Sequence, residues 1–469
     1  MSVTLHCDAG PGIGLGHVLR SAALGAEFVR TGRRARLRVP VGAAVGVPDR
    51  VRRVLPVEEE GIPAPATDIA VIDSYRPTMH TVDGKARLIA LHDGDGPLPV
   101  AGFLVNAAAT ESDYASRTTA SCRLLLGPRY ASVDAAFAIR RAGALAARTS
   151  CEVRRVLVSF GGDDAANATG RSLDALEGRS VEIDVALGSG ARHVRDIAAR
   201  ASARVRVHID TPEMPALMAD ADIAVGAAGS TAWERCTLGL PTLIARLAAN
   251  QNGVADMLVG AGAAADIRSV DAGFETRLAA AFDRVAGDRA LLVSMAAQAA
   301  ALCDGRGTKR IVLAAVGDET DRMGRRIRLR AVEAADAAWF LNLQSRPETR
   351  RYARNPAVPT PDEHRLWFAR MLANAAHTLA VVECADVPAG FVRLDPTSAE
   401  EMRFEVSIAV DPAFHGKGVG STALRLTRAC ARDAVLEAEV HEDNRASRAL
   451  FAGCGYRPTG PGRLESRPT

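Results

Sequence analysis

The 469-residue sequence has few aromatic residues, no closely paired cysteines and little net charge. Phe, Trp and Tyr make up only 4% of the chain, although 48% of its residues are hydrophobic. The interior must therefore be built mainly from Ala, Val, Leu and Ile, and a chain of this length predicts about three domains. A formal net charge of +3 is too small to indicate a nucleic-acid or membrane-surface partner.

The eight cysteines are scattered singly, with no CxxC pair. We therefore expect no metal site, and the dispersed cysteines indicate reduced thiols in the cytosol. The segment MSVTLHCDAG lacks a charged stretch followed by an apolar one, so no signal peptide is expected. No apolar run approaches the ~20 residues of a membrane span. These features predict a cytoplasmic protein with no membrane insertion.

Short apolar segments alternate with loops and helical patterns through the first two thirds of the chain. SVTLHC, ARLRV, DIAVID and RLIALHD predict strands, residues 17–30 predict a helix, and the arginines of ARLRV are interpreted as a solvated face. VRRVLVSFGG, VEIDVALG, VRVHI, DIAVGAAGS and PTLIA repeat the pattern from about residue 152. The alternation indicates parallel sheets, hence two Rossmann-like lobes at 1–150 and 151–316. Ligands bind at the carboxyl ends of such strands, so five loops should share one cleft: 9–17, 73–76, 159–164, 226–231 and 246–252.

The last third differs in character. GDETDRMGRR (317–326) is polar and predicts a linker. Within 327–469, TLAVVEC, AGFVRLD and FEVSIAVDP predict antiparallel strands, and a glycine loop, a helix, LEAEVHEDN and another helix follow. The tail PTGPGRLESRPT is rich in Pro and Gly and is expected to fray.

The segment GIGLGHVLR (12–20) brings three glycines to the start of the first predicted helix. Glycine lets the backbone approach a ligand closely, and a helix N-terminus favours anions. The same field disfavours imidazolium, so His17 is expected to be neutral near pH 7 and able to act as a base. A plain turn, with His17 as an ordinary polar residue, is the alternative that this segment alone slightly favours.

Five separate segments follow one another along the chain: DAGPGIGLGHVLR, VIDSYRP, LLLGPRYASVDAAF, VLVSFGGDDAANATG and AAGSTAWERCTLGLPTLIARLAANQN. Together they resemble the pseudaminic acid pathway hydrolase, which removes UDP from UDP-2,4-diacetamido-2,4,6-trideoxy-β-L-altropyranose and has the two-lobed GT-B fold. The resemblance covers roughly the first two thirds of the chain. It implies a UDP-sugar substrate and metal-independent hydrolysis at the anomeric carbon with inversion.

The resemblance also implies roles for individual residues. His17 would activate the attacking water, and the reaction would pass through an oxocarbenium-like state. Glu234 would hold the ribose hydroxyls, and the turn in GAAGSTAWE would hold the diphosphate. The other substrate-binding positions are Asp8, Gly14, Gly16, Arg20, Asp73, Tyr75, Gly229, Ser230, Thr231, Asn250 and Gln251.

Several of these residues have a structural alternative. Glu234 could cap its helix together with Thr231. Asp73 as a helix cap and Tyr75 as a surface aromatic are about as favoured as their roles in the site. The amides of positions 250 and 251 could instead satisfy loop backbone.

The arginine and aspartate near the glycine loop carry their own alternatives. Arg20 is expected to orient substrate or to pair with Asp8. The family commonly has Arg where this chain has His6, so loss of that guanidinium could change how Asp8 is held.

Near the C-terminus, EVSIAVDPAFHGKGVGSTALRLT is followed by NRASRALFAGCGY. The first segment resembles the acetyl-CoA loop of the GNAT acetyltransferase superfamily, usually [RQ]xxGxG, with His in the first position. The second resembles that superfamily's closing motif. The resemblance implies acetyl-CoA as co-substrate, held at Val410, His415, Gly416, Lys417, Gly418, Val419, Gly420, Ser421 and Asn444.

Acetyl transfer to an amine needs a base for the ammonium and an acid for the thiolate. Many relatives have Tyr where this chain has Phe451, and Tyr456 is expected to pack in the next strand. Glu405 is the candidate base, although an exposed carboxylate on an alternating strand is equally favoured.

The sequence therefore predicts an α/β protein with two Rossmann-like lobes of GT-B type followed by a GNAT domain. The predicted function is a bifunctional enzyme of nonulosonic (pseudaminic) acid biosynthesis, a UDP-sugar hydrolase joined to an acetyl-CoA-dependent N-acetyltransferase. The alternative is a GT-B glycosyltransferase with a non-catalytic or differently targeted GNAT domain.

Overall fold

The computed structural model describes residues 2–10, 13, 15–61, 67–76, 86–93, 98, 101–114, 116–119, 121–149 and 152–468. By their contacts the residues divide into two compact units. One comprises Met1–Gly25 with Arg36–Thr308, and the other Ala26–Ala35 with Lys309–Thr469. Both units combine helices with β-sheet, so the predicted α/β class is confirmed. The residue bounds predicted for the individual domains stay a prediction.

The first sheet has seven strands in the order β3-β2-β1-β4-β5-β6-β7, which is the doubly wound order. Five of the six residues of β1 are buried, as expected for a strand covered on both faces. The strands are β1 Ser2–Cys7, β2 Ala35–Val39, β3 Val57–Glu59, β4 Thr67–Asp73, β5 Arg87–Leu91, β6 Phe103–Asn106 and β7 Arg123–Leu126, and the helices of this part are α1 Gly16–Arg30, α2 Asp49–Arg52 and α3 Ala135–Ala147.

The second sheet repeats this plan with six parallel strands in the order β10-β9-β8-β11-β12-β13. Val156 and Val158 belong to one buried apolar cluster and Leu157 to another, so side chains on both faces of the sheet are packed. The strands are β8 Arg155–Ser159, β9 Glu182–Leu187, β10 Val205–Ile209, β11 Ile223–Ala227, β12 Thr242–Arg246 and β13 Ala264–Ser269, and the helices are α4 Ala168–Ala175, α5 Val194–Ala198, α6 Met214–Asp220, α7 Thr231–Thr237, α8 Asn252–Gly260, α9 Phe274–Gly287 and α10 Arg289–Leu302.

The third sheet has eight strands in the order β14-β15-β16-β17-β18-β19-β21-β20. Its pairs are antiparallel except for β18 and β19, which pair in parallel only over Arg403–Glu405 and Val435–Glu437. The elements are α11 Gly307–Val316, β14 Asp318–Thr320, β15 Arg326–Ala331, α12 Ala337–Ser345, α13 Pro347–Arg350, α14 Pro361–Ala373, β16 Thr378–Cys384, β17 Val387–Ser398, β18 Arg403–Val410, α15 Val419–Cys430, β19 Val435–Glu439, α16 Arg445–Gly453, β20 Arg457–Gly460 and β21 Arg463–Ser466.

Three local expectations are corrected by the fold. The polar segment 317–326 is a β-hairpin in which β14 pairs with β15 rather than a linker. The tail does not fray, because β21 pairs with both β19 and β20. In ARLRV, Arg38 is only 6% exposed and its Nη2 donates to the Glu59 carbonyl at 3.3 Å, so it does not belong to a solvated face.

Two properties of the described residues concern membranes and metal ions. No single helix there is both long and apolar enough to cross a membrane, and one sharply bent pair, Phe274–Gly287 with Arg289–Val316, passes on length and composition alone. The same residues contain no group of three or more His, Cys, Asp or Glu placed to hold a metal ion.

Candidate active sites

The first site forms where the strand order of the first sheet reverses, between β1 and β4. Cys7 is paired with Asp73 at the carboxyl ends of these strands, and the Asp8 N–H donates to the Asp73 carbonyl at 3.1 Å. Ligands of doubly wound sheets bind at such a switch point. The start of α1 and the segment after β4 therefore bring His17 and Tyr75 to the same place.

His17 is held by a buried carboxylate. Its Nδ1 lies 2.6 Å from Oδ1 of Asp73, whose side chain is fully buried. A ring nitrogen that bonds a carboxylate must carry the hydrogen, so Nδ1–H donates and Nε2 keeps its lone pair. Among the described residues Nε2 has no hydrogen-bond partner. Asp73 thus orients the imidazole so that Nε2 can act as a base.

The Asp73 carboxylate also shifts the pKa of His17. Burial lowers the pKa of His17, but the charge and hydrogen bond of Asp73 outweigh it, so the pKa lies above its ordinary value of 6.5. A carboxylate in contact with the ring therefore opposes the field of the helix N-terminus, on which the expectation of a neutral imidazole rested. For Asp73, burial raises the pKa, but Arg20 and His17 outweigh it and lower the pKa to about 2.

Arg20 completes this arrangement by joining two carboxylates. Its Nε donates to Asp73 Oδ2 at 2.7 Å, and its Nη1 donates to Asp93 Oδ2 at 2.5 Å. Asp93 follows β5 and was missed by the sequence reasoning. Its position in RLIALHD, directly after a predicted strand at the edge that carries Asp73, could have revealed it. The expected alternative pairing of Arg20 with Asp8 is wrong.

Asp8 is held by the segment after β4 instead. It accepts hydrogen bonds from Ser74 Oγ at 2.7 Å, from the Tyr75 N–H at 2.9 Å and from Arg76 Nε at 2.7 Å. Arg76 therefore supplies a guanidinium to Asp8, whereas position 6 carries His. Asp8 is thereby fixed in place next to the His17 site.

Tyr75 links this site to the second sheet. Its ring meets that of His17 edge-on at 5.0 Å, and its hydroxyl donates to Asp93. Asn250 Nδ2 donates to the same hydroxyl oxygen at 3.3 Å. Burial and then Asp93 raise the pKa of Tyr75 to about 12. By contrast, Gln251 uses its Oε1 to accept the Leu247 N–H at 2.9 Å, the backbone-satisfying role named as its alternative.

Close approaches of glycines show that the predicted loops meet. A Cβ added to Gly16 would lie 3.3 Å from Ser230 Oγ, and one added to Gly162 would lie 3.7 Å from Leu15. One added to Gly229 would lie 3.9 Å from the Gln251 amide nitrogen. Gly14 lies outside the described residues. Together with the contacts of Tyr75 to His17 and Asn250, these approaches bring all five loops expected to share a cleft into contact.

The turn after β11 has the groups expected of a diphosphate site. The N-cap of α7 is Ser230 rather than Thr231, and its side chain makes no capping hydrogen bond. The alternative in which Thr231 and Glu234 cap the helix together is therefore not what the structure shows. Among the described residues, the N–H groups of Gly229, Ser230 and Thr231 have no acceptor. The half-buried carboxyl group of Glu234 likewise has no partner there, and burial, opposed by Arg50, raises its pKa to about 7.

In the third sheet, the glycine loop between β18 and α15 adopts the conformation that glycine favours. Gly416 and Gly418 have φ of 73° and 88°, and a Cβ on Gly418 would lie 2.8 Å from the Arg322 side chain. Side chains of the loop bond its own carbonyls: His415 Nε2 donates to Val410 O at 2.9 Å, and Lys417 Nζ donates to Ala413 O at 2.7 Å. The loop is thus fixed at the start of α15, where helix N–H groups need external acceptors. A glycine loop at a helix start can accommodate an anionic group.

The remaining predicted residues of the loop lie at the starts of two helices, α15 and α16. Ser421 Oγ donates to Gly418 O at 2.9 Å, and Val419 and Gly420 open α15. Asn444 caps α16 by accepting the Ser447 N–H at 3.0 Å.

Glu405 lies where β18 and β19 stop pairing. Arg354 donates to its Oε1 at 2.6 Å and to Glu439 Oε2 at 2.7 Å, so the candidate base is held in an ion pair. Phe451 and Tyr456 are 3% and 2% exposed and pack edge-on at 4.9 Å. The roles of Glu405 and of the loop residues stay predictions.

The chain carries a GNAT acetyltransferase domain, because residues 326–457 match the family model "Acetyltransferase (GNAT) domain". A 73-residue stretch is 41% identical to the N-alpha-acetyltransferase RimI of Mycobacterium tuberculosis (strain ATCC 25618 / H37Rv) and covers 15% of this chain. That match spans 45% of the relative, less than half of its length.

Solved structures resemble parts of the chain. The spermidine N-acetyltransferase from Vibrio cholerae in complex with CoA and spermine is 23% identical, with 29% of this chain and 82% of that chain covered and a TM-score of 0.27. Acinetobacter baumannii MurG is 15% identical, with 66% and 98% covered and a TM-score of 0.44.

Proposed function

We propose that the chain is a bifunctional enzyme of nonulosonic acid biosynthesis. Its first unit hydrolyses UDP from UDP-2,4-diacetamido-2,4,6-trideoxy-β-L-altropyranose, and its GNAT domain N-acetylates an amino sugar nucleotide with acetyl-CoA. The observation that carries the hydrolase is the 2.6 Å contact between His17 and Asp73 at the switch point, which leaves Nε2 as a base. The five ordered motifs that resemble the family support the choice of substrate.

In the proposed hydrolysis, Nε2 of His17 takes a proton from water as the water oxygen attacks the anomeric carbon. The bond from that carbon to the diphosphate oxygen breaks, and its electron pair leaves with UDP. Asp73 keeps the imidazole in the required tautomer and stabilises the imidazolium, since its low pKa keeps it ionised. The free N–H groups of residues 229–231 would bind the negative charge of UDP.

In the proposed acetyl transfer, the loop at 415–421 would hold the diphosphate of acetyl-CoA. Glu405 would take the proton of the acceptor ammonium, directly or through water, so that the amine can attack the thioester carbon. The carbon–sulfur bond breaks, and the expelled thiolate of CoA takes up a proton that balances the one lost by the attacking nitrogen. Phe451 supplies no acid, and this favours the second candidate, a GNAT domain that binds acetyl-CoA without catalysis.

The test uses purified protein and the UDP-linked 4-amino-4,6-dideoxy sugar of this pathway, with and without acetyl-CoA. Mass spectrometry would follow UDP, CoA and the sugar. We expect release of CoA, then release of UDP that depends on acetyl-CoA. The variant His17→Ala should lose UDP release by at least about 1,000-fold and keep CoA release.

Three other results would contradict parts of this proposal. UDP release that requires an added sugar acceptor would indicate a glycosyltransferase. No UDP from the diacetamido sugar would contradict the hydrolase assignment. Bound acetyl-CoA without release of CoA would indicate a non-catalytic GNAT domain.

A further inference from the structure

Arg235 lies beneath the turn that follows β11 and is 1% exposed. It belongs to α7, and its guanidinium reaches back to the end of the strand. Nη2 donates to the Ala227 carbonyl at 2.6 Å, and Nη1 donates weakly to Thr231 Oγ1 at 3.4 Å. A Cβ on Gly226 would lie 2.7 Å from Nη1, so glycine at this position makes room for the guanidinium.

This guanidinium is a buried cation without a matching anion. Among the described residues, no carboxylate lies within ion-pair distance of Arg235, and its Nε has no hydrogen-bond partner. Arg20, in the same unit, bonds two carboxylates. Burial lowers the pKa of Arg235 to about 10, so the group still carries its charge at neutral pH. Proteins normally pair a buried charge, because an uncompensated one is costly.

The charged neighbours of Arg235 do not remove this imbalance. Its nearest titratable neighbours are Glu234 and Cys236 on its own helix. Burial raises the pKa of Glu234 to about 7 and that of the Cys236 thiol well above its usual range. At neutral pH the thiol is uncharged and the carboxyl group is only partly ionised.

We propose that Arg235 is a positioning residue that draws the diphosphate of the nucleotide onto the turn Gly229–Thr231. Its guanidinium fixes the Ala227 carbonyl, which determines the path of the turn. Its unbalanced positive charge favours the binding of an anion by the free N–H groups. The diphosphate supplies the missing negative charge. This inference rests on the proposed function, because it takes the ligand to be a UDP-sugar.

The test compares UDP with uridine, which lacks the phosphates, by titration calorimetry in EDTA. The wild type should bind UDP far more tightly than uridine. In Arg235→Met the preference for UDP should fall by at least about tenfold, while the affinity for uridine stays within about twofold. Removing a buried unpaired charge should leave the unliganded protein folded.

Two further variants separate charge from structure. Arg148 is a buried arginine of the same unit whose guanidinium donates to the carbonyls of Leu238, Ala221 and Met218, so Arg148→Met should lower the melting temperature and keep the preference for UDP. Arg235→Lys keeps the charge and should keep most of the preference, which tests the proposal even if the Met variant does not fold.

The outcomes are distinct. An unchanged UDP-to-uridine ratio in folded Arg235→Met, or its loss in folded Arg235→Lys, would overturn the inference and leave the proposed function standing. A wild type that binds neither UDP nor uridine would overturn both.

Discussion

Replacing Asp73 by Asn should remove the group that makes His17 an effective base. The change keeps the size of the side chain but loses the charge that the Nδ1–H of His17 contacts at 2.6 Å. An amide can also present its NH₂ to Nδ1 and stabilise the wrong tautomer. Comparable loss of an orienting carboxylate lowers turnover by roughly 10⁴-fold in the Ser-His-Asp hydrolases, and we expect a fall of 10³-fold or more here, as an order of magnitude.

The same variant should move the pH dependence of UDP release. In the wild type, Asp73 holds the pKa of His17 above 6.5, so kcat should rise with pH and reach its plateau above that value. Without Asp73, burial and Arg20 both lower the pKa of His17, so the midpoint should move below 6.5. The measurement is the rate of UDP release from pH 5 to 9 at saturating substrate.

Asp8→Asn is the matched control for this experiment. Asp8 lies at the same strand edge, but its hydrogen bonds go to Ser74, Tyr75 and Arg76 rather than to His17. Its substitution should leave the midpoint in place, whatever it does to KM. An Asp73→Asn variant with the wild-type midpoint and a rate within tenfold of wild type would refute the proposed role of the pair.

Two predictions concern the GNAT domain. If Glu405 takes the ammonium proton, Glu405→Gln should lower kcat for CoA release by about 100-fold or more. Glu439→Gln removes the charge of the other carboxylate that Arg354 contacts, and it should change kcat less than tenfold. Steady-state CoA assays measure both. Equal losses in both variants would mean that the ion pair matters only structurally. Gly418→Ala should cost about 1–2 kcal/mol in the free energy of unfolding, because φ is 88° and the new Cβ would lie 2.8 Å from a side-chain carbon. Gly416→Ala, with φ of 73° and open space around it, should cost less in the same denaturant titration, and the reverse order would contradict this reading of the loop.

The layered architecture could be predicted from the sequence because its signals are local. Buried parallel strands are short apolar runs. SVTLHC coincides with β1, and DIAVID covers all of β4 except Thr67. The rule that ligands bind at carboxyl ends then predicts that Asp73 and the glycine loop meet.

What the sequence could not supply are the pairings between distant segments. Asp93 reaches Arg20 only because β5 lies beside β4. Asp8 pairs with Arg76 rather than with Arg20 because the segment that follows β4 brings Arg76 to Asp8. The raised pKa of His17 depends on a contact across 56 positions of sequence. The tail was misjudged because Pro and Gly indicate a loop locally, whereas pairing with β19 decides its structure.

The most direct test of the central claim is hydrolysis of the diacetamido UDP-sugar in water enriched in ¹⁸O, with the label read in the released UDP. Attack of His17-activated water on the anomeric carbon predicts UDP that carries no ¹⁸O, and no measurable UDP from His17→Ala. Label in the terminal phosphate of UDP would show that the P–O bond breaks instead. That result, or a His17→Ala variant as fast as wild type, would contradict the account.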